Sequence, residues 1–382
     1  MKKSFLTLAI GLLTLSAIGQ NSKLPSIDMK EFQDGVNHWY GIKDKTNLVD
    51  PVPNQPVYSL NQIVEIADNV LLFQRNNGGW PKNYDMKAVL TPEQKQKVIE
   101  TKADTHTTFD NSTTYTHIAY LAKVYSITKE KRFKKGVEKG IRFCMNAQYN
   151  NGGWPQYFPL EKGYSRHITF NDGAYMGVLK MMRDIADNKP EYAFLSKKIK
   201  LKAEKSYQQG LNCLLKCQIT DNGELTVWCQ QHDEVTLQPT WARAFEPPSI
   251  CNGESAEIVL YLMSIENPDE QIIRAVKAAV QWYEKSKIFN TRLKKVDIQP
   301  EETKLRTVKY DLVAVTDSSA SPIWTRYYEL GSHRPLFCDR NSKFLYSLAE
   351  VSLERRSGYA WYVNSPQRVL DKYPQWAKKW LK

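Results

Sequence analysis

Asn76-Asn77-Gly78-Gly79-Trp80-Pro81 returns unchanged as Asn150-Asn151-Gly152-Gly153-Trp154-Pro155. Each copy follows an apolar, helix-periodic stretch that carries a glutamine, Leu71-Leu72-Phe73-Gln74 before the first and Met145-Asn146-Ala147-Gln148 before the second. A fainter third copy runs through Cys217-Gln218, Asn222-Gly223 and Trp228. A helix-then-loop unit repeated at long period implies a helical array or toroid with its matching loops on one rim. Asn-Gly and Gly-Gly demand tight turns, so each Trp is held beside a turn. Trp80 and Trp154 are therefore candidate substrate-binding residues on that rim. The competing reading is that each large aromatic plugs the space between helices.

Working outward, helical periodicity dominates. Apolar stripes run over 60–74, 111–125, 132–148, 172–185, 195–218, 254–265, 270–282 and 340–351. Long alternating β-branched runs are scarce, with 312–315 and 224–228 the only short candidates. The expected class is all-α, a toroid of helical hairpins with irregular loops at one rim.

One set of helices opens on a compact polar cluster: Phe109-Asp110-Asn111-Ser112, Phe170-Asn171-Asp172-Gly173, Ile250-Cys251-Asn252-Gly253-Glu254 and Phe337-Cys338-Asp339-Arg340-Asn341. Such starts resemble N-caps, where a carboxylate or amide accepts from free backbone N–H groups. If they open the inner helices, their N-termini share one rim, and the mouth gathers Asp110, Asn111, Asp172, Asn252 and Glu254. Converging ionised oxygens from separate elements suit a hard cation such as calcium. Each Asp taken alone reads more readily as a simple cap, and it is the recurrence of polar starts in one architectural position that favours the cation.

Residues 1–19 read as a signal peptide, with Lys2 and Lys3, an apolar core over 5–15, and Ala17-Ile18-Gly19 at the cleavage positions. The mature chain is expected to be exported, periplasmic or secreted, with no membrane insertion. Residues 20–57 read as an N-terminal extension packed on the body, and 58–382 as a single catalytic domain. Six cysteines in 382 residues, with no CxxC pair, favour buried free thiols over a disulfide scaffold or a structural zinc. A net charge of +12, scattered rather than clustered, suits a polyanionic polysaccharide and gives no nucleic-acid signature.

Arginines gather near the same rim: Trp241-Ala242-Arg243-Ala244-Phe245-Glu246, Trp324-Thr325-Arg326-Tyr327-Tyr328, and Arg334 with Arg340. Their planar forks clamp carboxylates, and the neighbouring rings offer faces to sugars. With the double GGWP loop, Thr108-Phe109-Asp110-Asn111 and His167-Ile168-Thr169-Phe170-Asn171-Asp172, this set resembles the pectate lyases of polysaccharide lyase family 10 over about residues 58–382. The resemblance implies an (α/α)₃ barrel and calcium-assisted β-elimination of polygalacturonate. It implies Arg243 as base, Asp110 as the calcium-coordinating or substrate-poising acid, and Asp172 as a second acid at the metal. Asn111, Arg326 and Arg340 are expected to bind substrate.

The chemistry accounts for the residue types. Elimination removes the C5 proton beside the uronate carboxylate and expels the O4 glycosidic oxygen. Cations aimed at that carboxylate stabilise the developing charge. Arginine is intrinsically a weak candidate for a base, and neighbouring cations are expected to lower its pKa. His106, His167 and His232 are alternative bases, His232 first. Two further readings stay open: a glycoside hydrolase using paired carboxylates, and a non-catalytic binder of uronic-acid chains.

Overall fold

The computed structural model describes residues 24–41, 47–303 and 306–381. The signal peptide expected at 1–19 lies outside the described residues. After a short helix, α1 (Gln33–Gly41), the body runs α2 (Ile63–Phe73), α3 (Pro92–Glu100), α4 (Tyr115–Thr128), α5 (Lys131–Asn146), α6 (Ala174–Ala186) and α7 (Lys197–Lys216). It continues with α8 (Asn252–Met263), α9 (Glu270–Lys285), α10 (Leu353–Arg356) and α11 (Ser365–Trp380). The hairpins α4/α5 and α6/α7 pack most heavily, and α11 closes over α8 and α9. The first residues of α4, α6 and α8 line one groove, so these are the inner helices of an (α/α) toroid with their N-termini at a common mouth.

The repeat is a packing device. In each unit the glutamine amide bridges its own loop to the next helix pair. Gln74 Nε2 donates to the carbonyls of Gly78 and Gly136, Gln148 Nε2 to Gly152 and Ser206, and Gln218 Nε2 to Thr226 and Ala275. Trp80, Trp154 and Trp228 fall at equal intervals along the chain, and each indole N–H donates to a carbonyl in the preceding helix: Val70, Cys144 and Leu214. All three rings have no exposed surface. Gly78 and Gly152 take left-handed φ of 104° and 97° at the turns, where an L side chain is strained. A Cβ at Gly210 would come within 2.6 Å of the Trp154 ring, so helix α7 needs glycine to reach it. The expectation that Trp80 and Trp154 bind substrate is thus corrected: both are wedges between helices, buried by the same repeat that made them conspicuous.

The N-terminal segment shares this core. Trp39 is buried with its indole donating to Val49, and Phe32 meets His117 and Tyr120 edge-on at 5.6 and 5.8 Å. All six cysteines are free and buried.

The helix expected over 340–351 is absent. That stretch follows the strand Pro335–Cys338 into a turn, the short strand Phe344–Leu345 and a 3₁₀ turn. Its apolar residues, Leu345, Leu348 and Val351, instead join a second core with Phe245, Tyr327, Phe337 and Trp361 beside the mouth. A long antiparallel hairpin, Thr291–Glu302 with Thr307–Thr316, extends well beyond the short strand anticipated at 312–315. Most of its residues are exposed, so neither face needs the apolar alternation by which strands are recognised.

Candidate active site

The acid side of the mouth is built by the first repeat loop. The Trp80 carbonyl accepts from Thr108 N, Phe109 N donates to the Gln156 carbonyl, and Thr108 Oγ1 accepts from Asp110 N at 3.0 Å. These bonds seat Asp110 at 3% exposure. Its Oδ2 accepts from Lys82 Nζ at 2.5 Å, while Oδ1 is buried with no hydrogen-bond partner among the described residues. Burial alone would lower the Lys82 pKa, but Asp110 outweighs it and keeps the ammonium charged. Asn111, with φ of 49°, donates through its amide to Asn83 Oδ1 at 3.1 Å. Lys82 and Asn83 directly follow Trp80-Pro81, so the buried Trp anchors the loop whose next residues enter the site.

The second acid comes from a left-handed turn. Asp172 has φ of 48° and its Oδ2 accepts from the Asn171 amide at 2.6 Å. Although the residue is exposed, its carboxylate lines a groove of about 640 Å³ between α4, α6 and α8. Desolvation there, then the charges of Asp110 and Glu254, push its pKa up to about 7, against the pull of Arg326. Neither Asp110 nor Asp172 caps a helix: α4 begins after Thr114 and α6 after Gly173, so both carboxylates are left to the mouth. Asn252 does open α8 but serves structure, donating to the Thr325 carbonyl and accepting from the Trp282 indole.

Arg326 lies beside these acids. Its Nη2 pairs with Glu254 Oε1 and reaches Asn171 Oδ1 at 3.4 Å, and its guanidinium sits 4.7 Å from the Tyr359 ring centre. The Nε atom is buried without a partner among the described residues. Glu254 Oε2 accepts from the Cys251 thiol at 2.7 Å.

Arg243 stands on the opposite loop, half-exposed, with Nε and Nη2 donating to Glu246 at 2.8 and 2.5 Å. Among the described residues, Nη1 makes no hydrogen bond. Glu246 is 2% exposed and also accepts from Gln230 Nε2 at 3.0 Å and Tyr359 Oη at 2.9 Å. Burial would lower the Arg243 pKa, but this carboxylate raises it well above the ordinary arginine value. That reverses the depression expected from neighbouring cations: the nearest charge is an anion. Arg340 is exposed and held by both oxygens of Glu354, at 2.8 and 3.2 Å. It adjoins Arg243 through Phe245, whose ring centre lies 4.9 Å from the Arg243 guanidinium and 5.3 Å from that of Arg340.

The histidines are occupied elsewhere. His232 has no exposed surface, donates from Nδ1 to the Leu237 carbonyl and accepts at Nε2 from Cys229 N; burial lowers its pKa to about 4. His106 pairs with Glu161. Among the described residues, His167, Asp233 and Glu234 are the one group of three such side chains whose ligand atoms lie within 4.8 Å of one another and could hold a metal, though Arg166 already grips Glu234 at 2.5 Å. Lys82, Glu246 and Tyr359 were not among the residues singled out from sequence. Lys82 nonetheless directly follows the repeat that ends at Pro81, and Glu246 is the last residue of the motif Trp241-Ala242-Arg243-Ala244-Phe245-Glu246.

Acids and arginines sharing the mouth of a helical toroid define an enzyme site shaped for an anionic chain. The family model for pectic acid lyase matches residues 74–370. A family 10 polysaccharide lyase from Cellvibrio cellulosa is 31% identical, with a TM-score of 0.69 over 82% of this chain and 91% of that one. An aspartate-to-alanine mutant of a family 10 polysaccharide lyase from Cellvibrio cellulosa, in complex with trigalacturonic acid, gives 31% identity and a TM-score of 0.70 over 83% and 92%. A sequence comparison with curated proteins gives no match. The chain belongs to the pectic acid lyase family. It is an enzyme, a lyase, and its reaction is the β-eliminative cleavage of pectate.

Proposed function

We propose that this enzyme cleaves polygalacturonate with the help of calcium, held by Asp110 and Asp172, and that Arg243 removes the C5 proton. The carrying observation is Asp110 Oδ1, a buried carboxylate oxygen with no hydrogen-bond donor among the described residues. A buried acceptor is normally paired, and a hard dication is the partner that an oxygen beside a second carboxylate calls for. Asp172 fits the same reading: desolvation first, and then the charges of Asp110 and Glu254, hold its proton, and a cation there favours the ionised form. Calcium bound at these oxygens supplies Lewis-acid stabilisation of the uronate carboxylate.

The protein groups do the rest. Arg326 and Lys82 present positive charge to the substrate from the two sides of the mouth. Once its guanidinium has given up a proton, Arg243 takes the C5 proton on Nη1, the nitrogen that no described residue holds, and returns to the charged form. The C–H electrons form the C4=C5 double bond, the C4–O bond breaks, and the released oxygen takes a proton from water. Because Glu246 favours the charged guanidinium, turnover rises toward alkaline pH. The trigalacturonic acid bound by the Cellvibrio lyase supports a uronate substrate here. A hydrolase reading is disfavoured because Lys82 and Arg326 beside the acids suit an anionic substrate better than a neutral sugar.

Ultraviolet absorbance of unsaturated ends on polygalacturonate tests the proposal. Chelation abolishes it and added calcium restores it, while calorimetry shows calcium binding that Asp110→Ala loses. Full turnover after exhaustive chelation overturns the calcium role.

A further inference from the structure

Two arginines on different loops meet at one tyrosine. Tyr359 lies with its ring under the Arg326 guanidinium at 4.7 Å, and its hydroxyl donates to Glu246 Oε1 at 2.9 Å. Glu246 in turn holds two of the three nitrogens of Arg243 and accepts from its backbone N at 3.1 Å. Behind them, Gln230 Nε2 donates to the same Glu246 oxygen, while Tyr327 Oη contacts both Gln230 Oε1 and Tyr359 Oη. Glu246, Gln230 and Tyr327 are all buried, on three separate stretches of chain. A buried network that ties Glu246 to three separate stretches of chain resists movement, because shifting any of these members leaves a buried polar group unpaired.

We propose that Glu246 and Tyr359 are positioning residues: they fix Arg243 so that only Nη1 faces the substrate, and they tie its position to that of Arg326. This rests on the reading of Arg243 as base. The two-point grip removes rotation about the guanidinium, the freedom that an otherwise half-exposed arginine keeps. Glu246 has a second consequence. Its negative charge opposes loss of the Arg243 proton, so it trades reactivity at neutral pH for orientation. Tyr359 limits that opposition by drawing part of the carboxylate's charge into a hydrogen bond.

Three variants separate orientation from charge, each checked for folding by its denaturation midpoint. Tyr359→Phe keeps the ring under Arg326 and removes the hydroxyl. It should lower kcat about tenfold with KM little changed, as expected for one lost hydrogen bond to a charged group. Glu246→Asp keeps the charge and shortens the reach, so kcat falls while the pH profile stays in place. Glu246→Gln removes the charge, so the alkaline rise in kcat moves to lower pH. A merely structural role moves none of these profiles. Wild-type kcat and an unshifted profile in Tyr359→Phe and Glu246→Gln overturn the inference. Absence of unsaturated product from the wild type overturns the proposed function instead.

Discussion

Replacing Trp80 by Phe separates the two readings of the most conspicuous residue in the chain. The indole has no exposed surface and its N–H donates to the Val70 carbonyl at 2.7 Å. That carbonyl also accepts from Gln74 N at 3.1 Å, so the substitution removes one of its two partners and leaves it satisfied. The lost hydrogen bond costs about 1 kcal/mol. The smaller ring leaves a void against Gly140 and Ile118 that adds about 1–3 kcal/mol, for a total of roughly 2–4 kcal/mol. Urea denaturation should show a lower midpoint at unchanged slope. Kinetics on polygalacturonate, taken well below the midpoint, should stay within roughly threefold of wild type in both kcat and KM. An unchanged midpoint with KM raised about tenfold, the signature of a lost stacking face, refutes the wedge assignment.

Asp110→Asn keeps the fold and loses both calcium heat in calorimetry and nearly all turnover; ordinary calcium binding in this variant removes Asp110 from the metal. Asp172, with its pKa near 7, takes up a proton as pH falls below that value, and a protonated carboxyl is a poor ligand. Calcium affinity should therefore weaken as pH drops from 8 to 6, approaching about tenfold per unit, and Asp172→Asn should flatten that dependence. A pH-independent wild-type affinity contradicts the assignment. Arg326→Lys keeps a positive charge but loses the planar fork, so KM should rise more than kcat falls; an unchanged KM argues against a substrate contact.

The helical hairpins were legible because apolar period is a local property of the chain, whereas the polar clusters taken for their starts do not cap α4 or α6. Gln74, Gln148, Trp80 and Trp154 announced a repeat, and the structure gives each pair the same bonds. Repetition marks a residue as architectural, which is why it misdirected the assignment of the two tryptophans to substrate. Helix α11 was hidden by Pro366 and Pro374, which break the apparent stripe although the first sits in the opening turn. The stretch 340–351 carried apolar residues at helical spacing, but they serve a core assembled from distant strands. Asp110, Asp172, Arg243 and Arg326 were singled out because their motifs are dense in chemistry. Tyr359 and its bond to Glu246 were not, since 113 residues separate the partners and nothing local signals the contact.

The central claim concerns proton removal at Arg243, and kcat of Arg243→Lys tests it most directly. Lysine keeps the charge but presents a different reach and acidity, and it cannot take Glu246 in a two-point grip while offering a free nitrogen. The account predicts that kcat collapses while trigalacturonate still binds with little change in affinity, and that the wild-type rate climbs toward alkaline pH. A lysine variant that turns over polygalacturonate at a near-normal kcat contradicts it.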